Sequence, residues 1–173
     1  PLRRQRQMCI RDRGIKNRFG ASDEVGCFEQ RGDGIHEVPD PSGLFLHHRD
    51  SEVPGTAITV AMDGKRPMVG EVQALVSPTQ NGSPRRAVSG LDSQRVAMIL
   101  AVLEGRIDVK VSTVEVYVAT VGGMKLTEPA ADLAIALSVG SIVKMKPLPR
   151  STGAIGEVGL AGEVRRVSGV GRR

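Results

Sequence analysis

A mixed α/β fold is what this sequence predicts, and three features predict it. β-branched residues alternate with others in "TAITVAM", "PMVGEVQALVS" and "STVEVYVATVGG", the period-two pattern of strands. Two longer stretches, "SQRVAMILAVLEG" and "TEPAADLAIALSVGSIVKMK", carry apolar residues at helical spacing. From residue 56 onward the elements interleave as β-β-β-α-β-α-β-β, which places helices on a mixed sheet.

Taken in order, residues 1–13, "PLRRQRQMCIRDR", are basic and show no usable periodicity. They are read as a non-native or disordered tail, because "RQMCIRDR" resembles translated adapter read-through. The other reading is a basic arm. "VGCFEQ" and "GIHEV" in residues 25–38 predict two short strands, with Asp33-Gly34 as the hairpin turn. "VPDPSG" breaks the chain, "LFL" at 44–46 is a brief apolar run, and the polar stretch 47–55 ends in Pro-Gly. A domain boundary is placed there, between residues 52 and 53.

"TAITVAM" then turns at "DGKR" into "PMVGEVQALVS", a hairpin. "RRAVSG" is a short strand. The helix over 93–105 places Val96, Ile99, Leu100 and Leu103 on one face, with Ser93 as its cap and Gly105 just past its end. In the strand over 112–123, Val114, Val116 and Val118 share one face, and Glu115 and Tyr117 the other. The second helix opens at Thr127 or Glu128. Pro129 is tolerated in its first turn, and Lys144 and Lys146 suit its negative end. "AIGEVGLAGEVRRV" predicts a last hairpin turning near "GLAG".

Composition narrows the function. Aromatics are 2% of 173 residues, which argues against a base-stacking binder of single strands. The core must be built from Val, Ile, Leu, Ala and Met. A net charge of +5 and a pI near 9.7 favour an anionic partner, though part of the charge lies at the two ends. Cys9 and Cys27 suit neither a disulfide framework nor a zinc site, so a reducing, cytoplasmic setting is expected. No apolar run reaches the length of a spanning helix.

Much chemistry has no residues to carry it. The sequence contains no GxxxxGK(S/T), hence no phosphate-cradling loop of that type. "GGMKL" at 122–126 has the wrong spacing for one. His36, His47 and His48 read as exposed histidines rather than metal ligands, since neighbours on a strand point to opposite faces. Glu71, Glu115, Glu157 and Glu163 fall on predicted strands, where outward faces account for them. No serine sits in a nucleophile context.

One cluster asks for more. Lys16 and Arg18 flank Asn17, and Phe19 and Gly20 follow. As chemistry this is either a solvated basic loop or a cationic finger for a phosphate: Arg offers a planar fork, Lys a point charge. As a motif, KNRFG resembles that of the RadA (Sms) family of bacterial DNA repair proteins, relatives of the RecA recombinases. "DEVGCFE", "GIHEVPDPSGLFL", "RPMVGEVQALV", "RRAVSGLDSQRVAMILAVLE", "VYVATVGGMKLTEPAADLAIALS" and "GEVGLAGEVR" resemble the same family in the same order. The resemblance covers residues 14–173.

The resemblance implies the terminal strands of a RecA-like ATPase core over residues 14–52 and a Lon-protease-like α/β domain over 53–173. The chain is then expected to be a fragment, without the family's zinc finger and phosphate loop, inactive alone and cut short in its Lon-like domain. ATP and Mg²⁺ are implied for the intact protein, zinc for its finger, and no cofactor for this stretch alone. The implied partners are DNA, further copies in a hexameric ring, and a RecA-type recombinase; no membrane is implied. The implied activity is a DNA-dependent ATPase that processes or branch-migrates recombination intermediates. Lys16 and Arg18 are the expected catalytic cations, reaching a neighbour's nucleotide phosphates or DNA, with Asn17, Phe19 and Gly20 supporting the loop. Arg85, Arg86, Arg165 and Arg166 are the expected DNA contacts; their other reading is solvated strand-edge charge. A non-catalytic ring-forming DNA-binding module is the alternative function. Lon-type proteolysis needs a serine where "TEPAADLA" places Ala130, and a methyl group cannot attack a carbonyl.

Overall fold

The structure is a computed structural model, and it describes residues 8–13, 25–37, 52–63, 66–79, 82–149 and 152–172. Its first part is a three-stranded antiparallel sheet of β1 (Met8–Arg13), β2 (Val25–Arg31) and β3 (Gly34–Glu37). The sequence reading assigned no regular element to residues 1–13, yet Met8–Arg13 is a strand. Its ladder is in register with β2 from Met8↔Gln30 to Arg13↔Val25. Backbone pairing of this kind needs no side-chain periodicity, which is why the composition did not announce it. The β2–β3 turn is also one residue earlier than expected. Arg31 pairs with Gly34 across Gly32-Asp33, and Gly34, at φ 137°, opens β3 instead of closing the turn.

The second part is built on a four-stranded mixed sheet in the order β4-β5-β7-β6. β4 (Thr56–Asp63) and β5 (Arg66–Pro78) form the predicted hairpin, in register from Thr56↔Gln73 to Asp63↔Arg66. β7 (Val114–Thr120) adds antiparallel to β5. β6 (Arg86–Ser89) lies parallel to β7 at the sheet edge, and helix α1 (Ser93–Ile107) makes the crossover that a parallel pair requires.

α1 places Val96, Ile99, Leu100 and Leu103 in the core, as its spacing predicts. Its ends differ from the prediction. The cap is Asp92, whose Oδ1 accepts from the backbone N–H groups of Gln94 and Arg95 at 2.8 and 3.0 Å. Gly105 is inside the helix, which runs on to Ile107 and closes on Asp108 in the left-handed conformation. A short 3₁₀ turn, Pro129–Ala131, leads into α2 (Asp132–Lys144), because proline is favoured at a helix start but lacks the N–H of an interior residue. α2 packs on β4, β5 and α1.

The core is aliphatic throughout. Val72 and Val139 are wholly buried, and Ala57, Val96, Val116, Val118 and Ala134 pack with them. Each buried valine contributes about 1.5–3 kcal/mol by leaving water. Glu71 corrects the expectation of outward carboxylates: it is only 6% exposed and accepts from Gln73 Nε2 at 2.9 Å. Gly55 is fixed by close packing. A Cβ there would stand 2.3 Å from the carbonyl oxygen of Ala74, and its N–H donates to Ser141 Oγ at 3.1 Å.

The chain then returns along β4, where Ala154 N–H donates to the Ile58 carbonyl at 2.8 Å. It ends in a hairpin of β8 (Glu157–Val158) and β9 (Val164–Arg165), as predicted. A 3₁₀ turn at Val170–Arg172 follows.

Candidate nucleic-acid interface

Lys16, Asn17, Arg18, Phe19 and Gly20 lie outside the described residues, as do His47 and His48. The four arginines predicted as DNA contacts are described, and they differ in what they already hold.

Arg86 is committed to its own chain. Its guanidinium donates to the carbonyl oxygens of Val114 and, at 2.6 Å, Val111. Val111 lies between α1 and β7, and Val114 opens β7, so Arg86 clamps the entry of β7 to the start of β6. Arg85 is exposed and sits one residue before the strand, where its carbonyl accepts from Val116 N–H at 2.9 Å. On the neighbouring strand the Tyr117 hydroxyl donates to Glu115 Oε2 at 2.6 Å. That hydrogen bond raises the phenol above its ordinary value, and the Arg85 charge opposes the rise.

Arg165 lies on β9 and is ion-paired with Glu163. The backbone N–H of Glu163, and then the Arg165 guanidinium, hold the Glu163 carboxyl below its ordinary range. Arg166 follows the strand and is exposed. Of the four, Arg166 is the one that shows neither an ion pair nor a hydrogen bond among the described residues.

The two arginine pairs do not converge. Arg86 clamps Val111, beyond the C-terminal end of α1. Arg165 pairs in register with Glu157, whose carboxylate is 3.8 Å from Arg95 near the helix start. The helical rise from Arg95 to Ile107 is about 18 Å. Any polyanion touching both would span the length of the helix.

Between α1 and the β8–β9 hairpin runs a groove of about 400 Å³, lined by Arg95, Met98, Val102, Glu157, Leu160 and Arg165 among others. At its base lies a centre that sequence reasoning missed. Asp132, 1% exposed, accepts from Arg95 Nε at 2.9 Å, from Arg95 Nη2, and from Val158 N–H at 3.2 Å. The Arg95 guanidinium is raised above its ordinary value, first by that hydrogen bond. An acidic residue in the first turn of a predicted helix was the available signal; nothing local in the sequence showed it to be buried.

Ala130 is 2% exposed, and its carbonyl accepts from Gly156 N–H at 3.0 Å. The position expected of a Lon-type nucleophile is thus a methyl group packed in the core. Among the described residues there is no group of three or more metal-ligating side chains, and no helix is long and apolar enough to cross a membrane. His36 Nε2 lies 3.1 Å from Asp33 Oδ1 on the β3 hairpin.

No protein-family model matches the chain. Curated proteins do. The chain is 60% identical over 161 residues to the DNA repair protein RadA of Mycolicibacterium smegmatis, covering 93% of this chain and 34% of that protein. It is 57% identical over 161 residues to RadA of Mycobacterium tuberculosis H37Rv, with the same coverage. Against RadA of Bacillus subtilis it is 47% identical, covering 93% of this chain and 35% of the relative. The chain therefore spans about a third of the length of the curated relatives it matches. With identity of this order sustained over nine-tenths of its residues, the chain belongs to the RadA family.

Proposed function

We propose that this chain forms the DNA-contacting platform of an ATP-driven DNA repair protein. One observation carries the reading: the 45–60% identity to proteins named DNA repair protein RadA extends over 93% of the chain. The α/β domain supplies a rigid body, of Lon-protease-like type in this proposal. Arg166 and Arg85 are its available cations, and Arg165 joins them when its pair with Glu163 opens. Arg86 has a structural task instead. Contacts by such side chains are to phosphates, so binding is independent of base sequence and weakens with salt.

In this proposal Lys16 and Arg18 act at a neighbouring subunit of a hexameric ring. There a cation supplied in trans stabilises charge developing on a transferred phosphoryl group. ATP, Mg²⁺ and zinc belong to segments of the family outside this chain's motifs, and a RecA-type recombinase is the implied partner on recombination intermediates. The setting is cytoplasmic. The non-catalytic reading keeps the platform and the ring and removes the role of Lys16 and Arg18.

Two measurements separate these readings. Fluorescence anisotropy of labelled duplex DNA should show affinity for this chain falling steeply between about 50 and 200 mM salt. Absence of salt-sensitive binding removes the platform. In a protein carrying the ATPase core as well, Lys16→Ala and Arg18→Ala should lower DNA-stimulated ATP hydrolysis. Unchanged hydrolysis in both variants leaves only the non-catalytic module.

A further inference from the structure

The β8–β9 hairpin carries Arg165 and is followed by Arg166, yet it has little stability of its own. Its ladder is two residue pairs, Glu157↔Arg165 and Val158↔Val164, too short to hold an orientation in water unaided. The body of the domain must therefore set its direction.

Three hydrogen bonds do so, all from the entrance of α2. Gly156 N–H donates to the Ala130 carbonyl at 3.0 Å, and Leu133 N–H donates to the Gly156 carbonyl at 3.1 Å. The third partner is a side chain: Val158 N–H donates to Asp132 Oδ2 at 3.2 Å. The carboxylate stands where the next acceptor of a strand-like ladder would be. It is also gripped by the Arg95 fork from α1. Asp132 thus joins α1, α2 and β8 at one point, and Arg95 reaches on towards Glu157 of the same hairpin. Gly156 confirms how tight the junction is, since a Cβ there would fall 2.7 Å from Val164 Cγ1.

We propose that Asp132 is a positioning residue for polyanion binding: through Val158 it aims the hairpin so that Arg166, with Arg165, presents its guanidinium to a phosphate backbone. The inference rests on the DNA-platform reading and deepens it. Asp132 touches no phosphate itself. Its effect is to spare Arg166 the ordering cost of docking a loosely held hairpin on binding.

The test is a double-mutant cycle on the 173-residue chain, read as the slope of log affinity against log salt with a labelled duplex of about 30 base pairs. Arg166→Ala should reduce the slope by about one phosphate contact. Asp132→Asn should reduce it by a similar amount, and Arg166→Ala should add little in the Asp132→Asn background. Loss of folded protein lowers the amplitude of binding without changing the slope, so a merely structural role does not reproduce this pattern. A wild-type slope in Asp132→Asn, with the full Arg166→Ala effect retained, overturns the inference and leaves the platform reading standing. No salt-sensitive binding by the unaltered chain overturns both. If Asp132→Asn fails to fold, Arg95→Lys keeps the charge and removes the fork; it should reduce the slope likewise, and an unchanged slope overturns the inference.

Discussion

Arg95 and Asp132 join the first turns of the two helices through a two-pronged ion pair, Nε to Oδ1 at 2.9 Å and Nη2 to Oδ2, with the carboxylate almost wholly out of water. Removing one partner strands a buried charge. Arg95→Leu is expected to lower unfolding stability by about 3 kcal/mol or more, measured by urea denaturation. Arg95→Leu with Asp132→Asn should lose less, because the stranded charge goes too. A loss below about 1 kcal/mol in the single variant would place the pair with ordinary surface bridges.

Thr59 is fully buried on β4, and its hydroxyl has no hydrogen-bond partner among the described residues. Thr59→Val replaces that hydroxyl with a methyl of similar size. The expected gain is about 1 kcal/mol, seen as a higher denaturation midpoint with an unchanged m-value. A loss of stability would mean that the hydroxyl is hydrogen-bonded in solution.

Gly90 follows β6 with φ 75°, and a Cβ there would lie 2.0 Å from Thr120 Oγ1 and 2.6 Å from the Met124 carbonyl oxygen. Gly90→Ala should therefore cost roughly 2–4 kcal/mol, combining backbone strain with a clash. Gly105→Ala, in open space within α1, should stabilise by about 0.5–1 kcal/mol. The opposite signs, in one thermal-melt experiment, check the local geometry at both sites.

Glu163 is held below the ordinary glutamate value of 4.5 by its backbone N–H and then by Arg165. A carboxyl with a depressed folded pKa contributes stability above the unfolded value and loses it as pH falls through the folded one. The Glu163 carboxyl resonance should titrate below 4.5. Arg165→Ala should move its midpoint upward. A midpoint unmoved by that substitution would show that the pair does not form in solution.

Most of the sheet was legible because its signals are local. The alternation in β4, β5 and β7 and the apolar face of α1 each lie within one short window. Helix ends were less legible. Ser93 and Asp92 are both good caps, and only backbone geometry decides for Asp92. β1 was missed because its pairing with β2 is a backbone event. The arginine pairs could be named from sequence but not ranked, since Arg86 is engaged by carbonyls of residues 111 and 114, far from it in the chain. Asp132 was missed for the same reason: its partners Arg95 and Val158 come from two distant segments.

The parallel placement of β6 has a kinetic consequence. β4 and β5 pair locally, from Thr56↔Gln73 to Asp63↔Arg66, so they can close within microseconds. β6 has only β7 to lean on, and all of α1 must form and dock before the two meet. Bringing β7 to β6, and across a still longer stretch to β5, is therefore expected to be slower than closing the hairpin. During refolding the amides of residues 86–89 should be among the last in the sheet to gain protection from hydrogen exchange, and they mark where the nascent domain stays open longest.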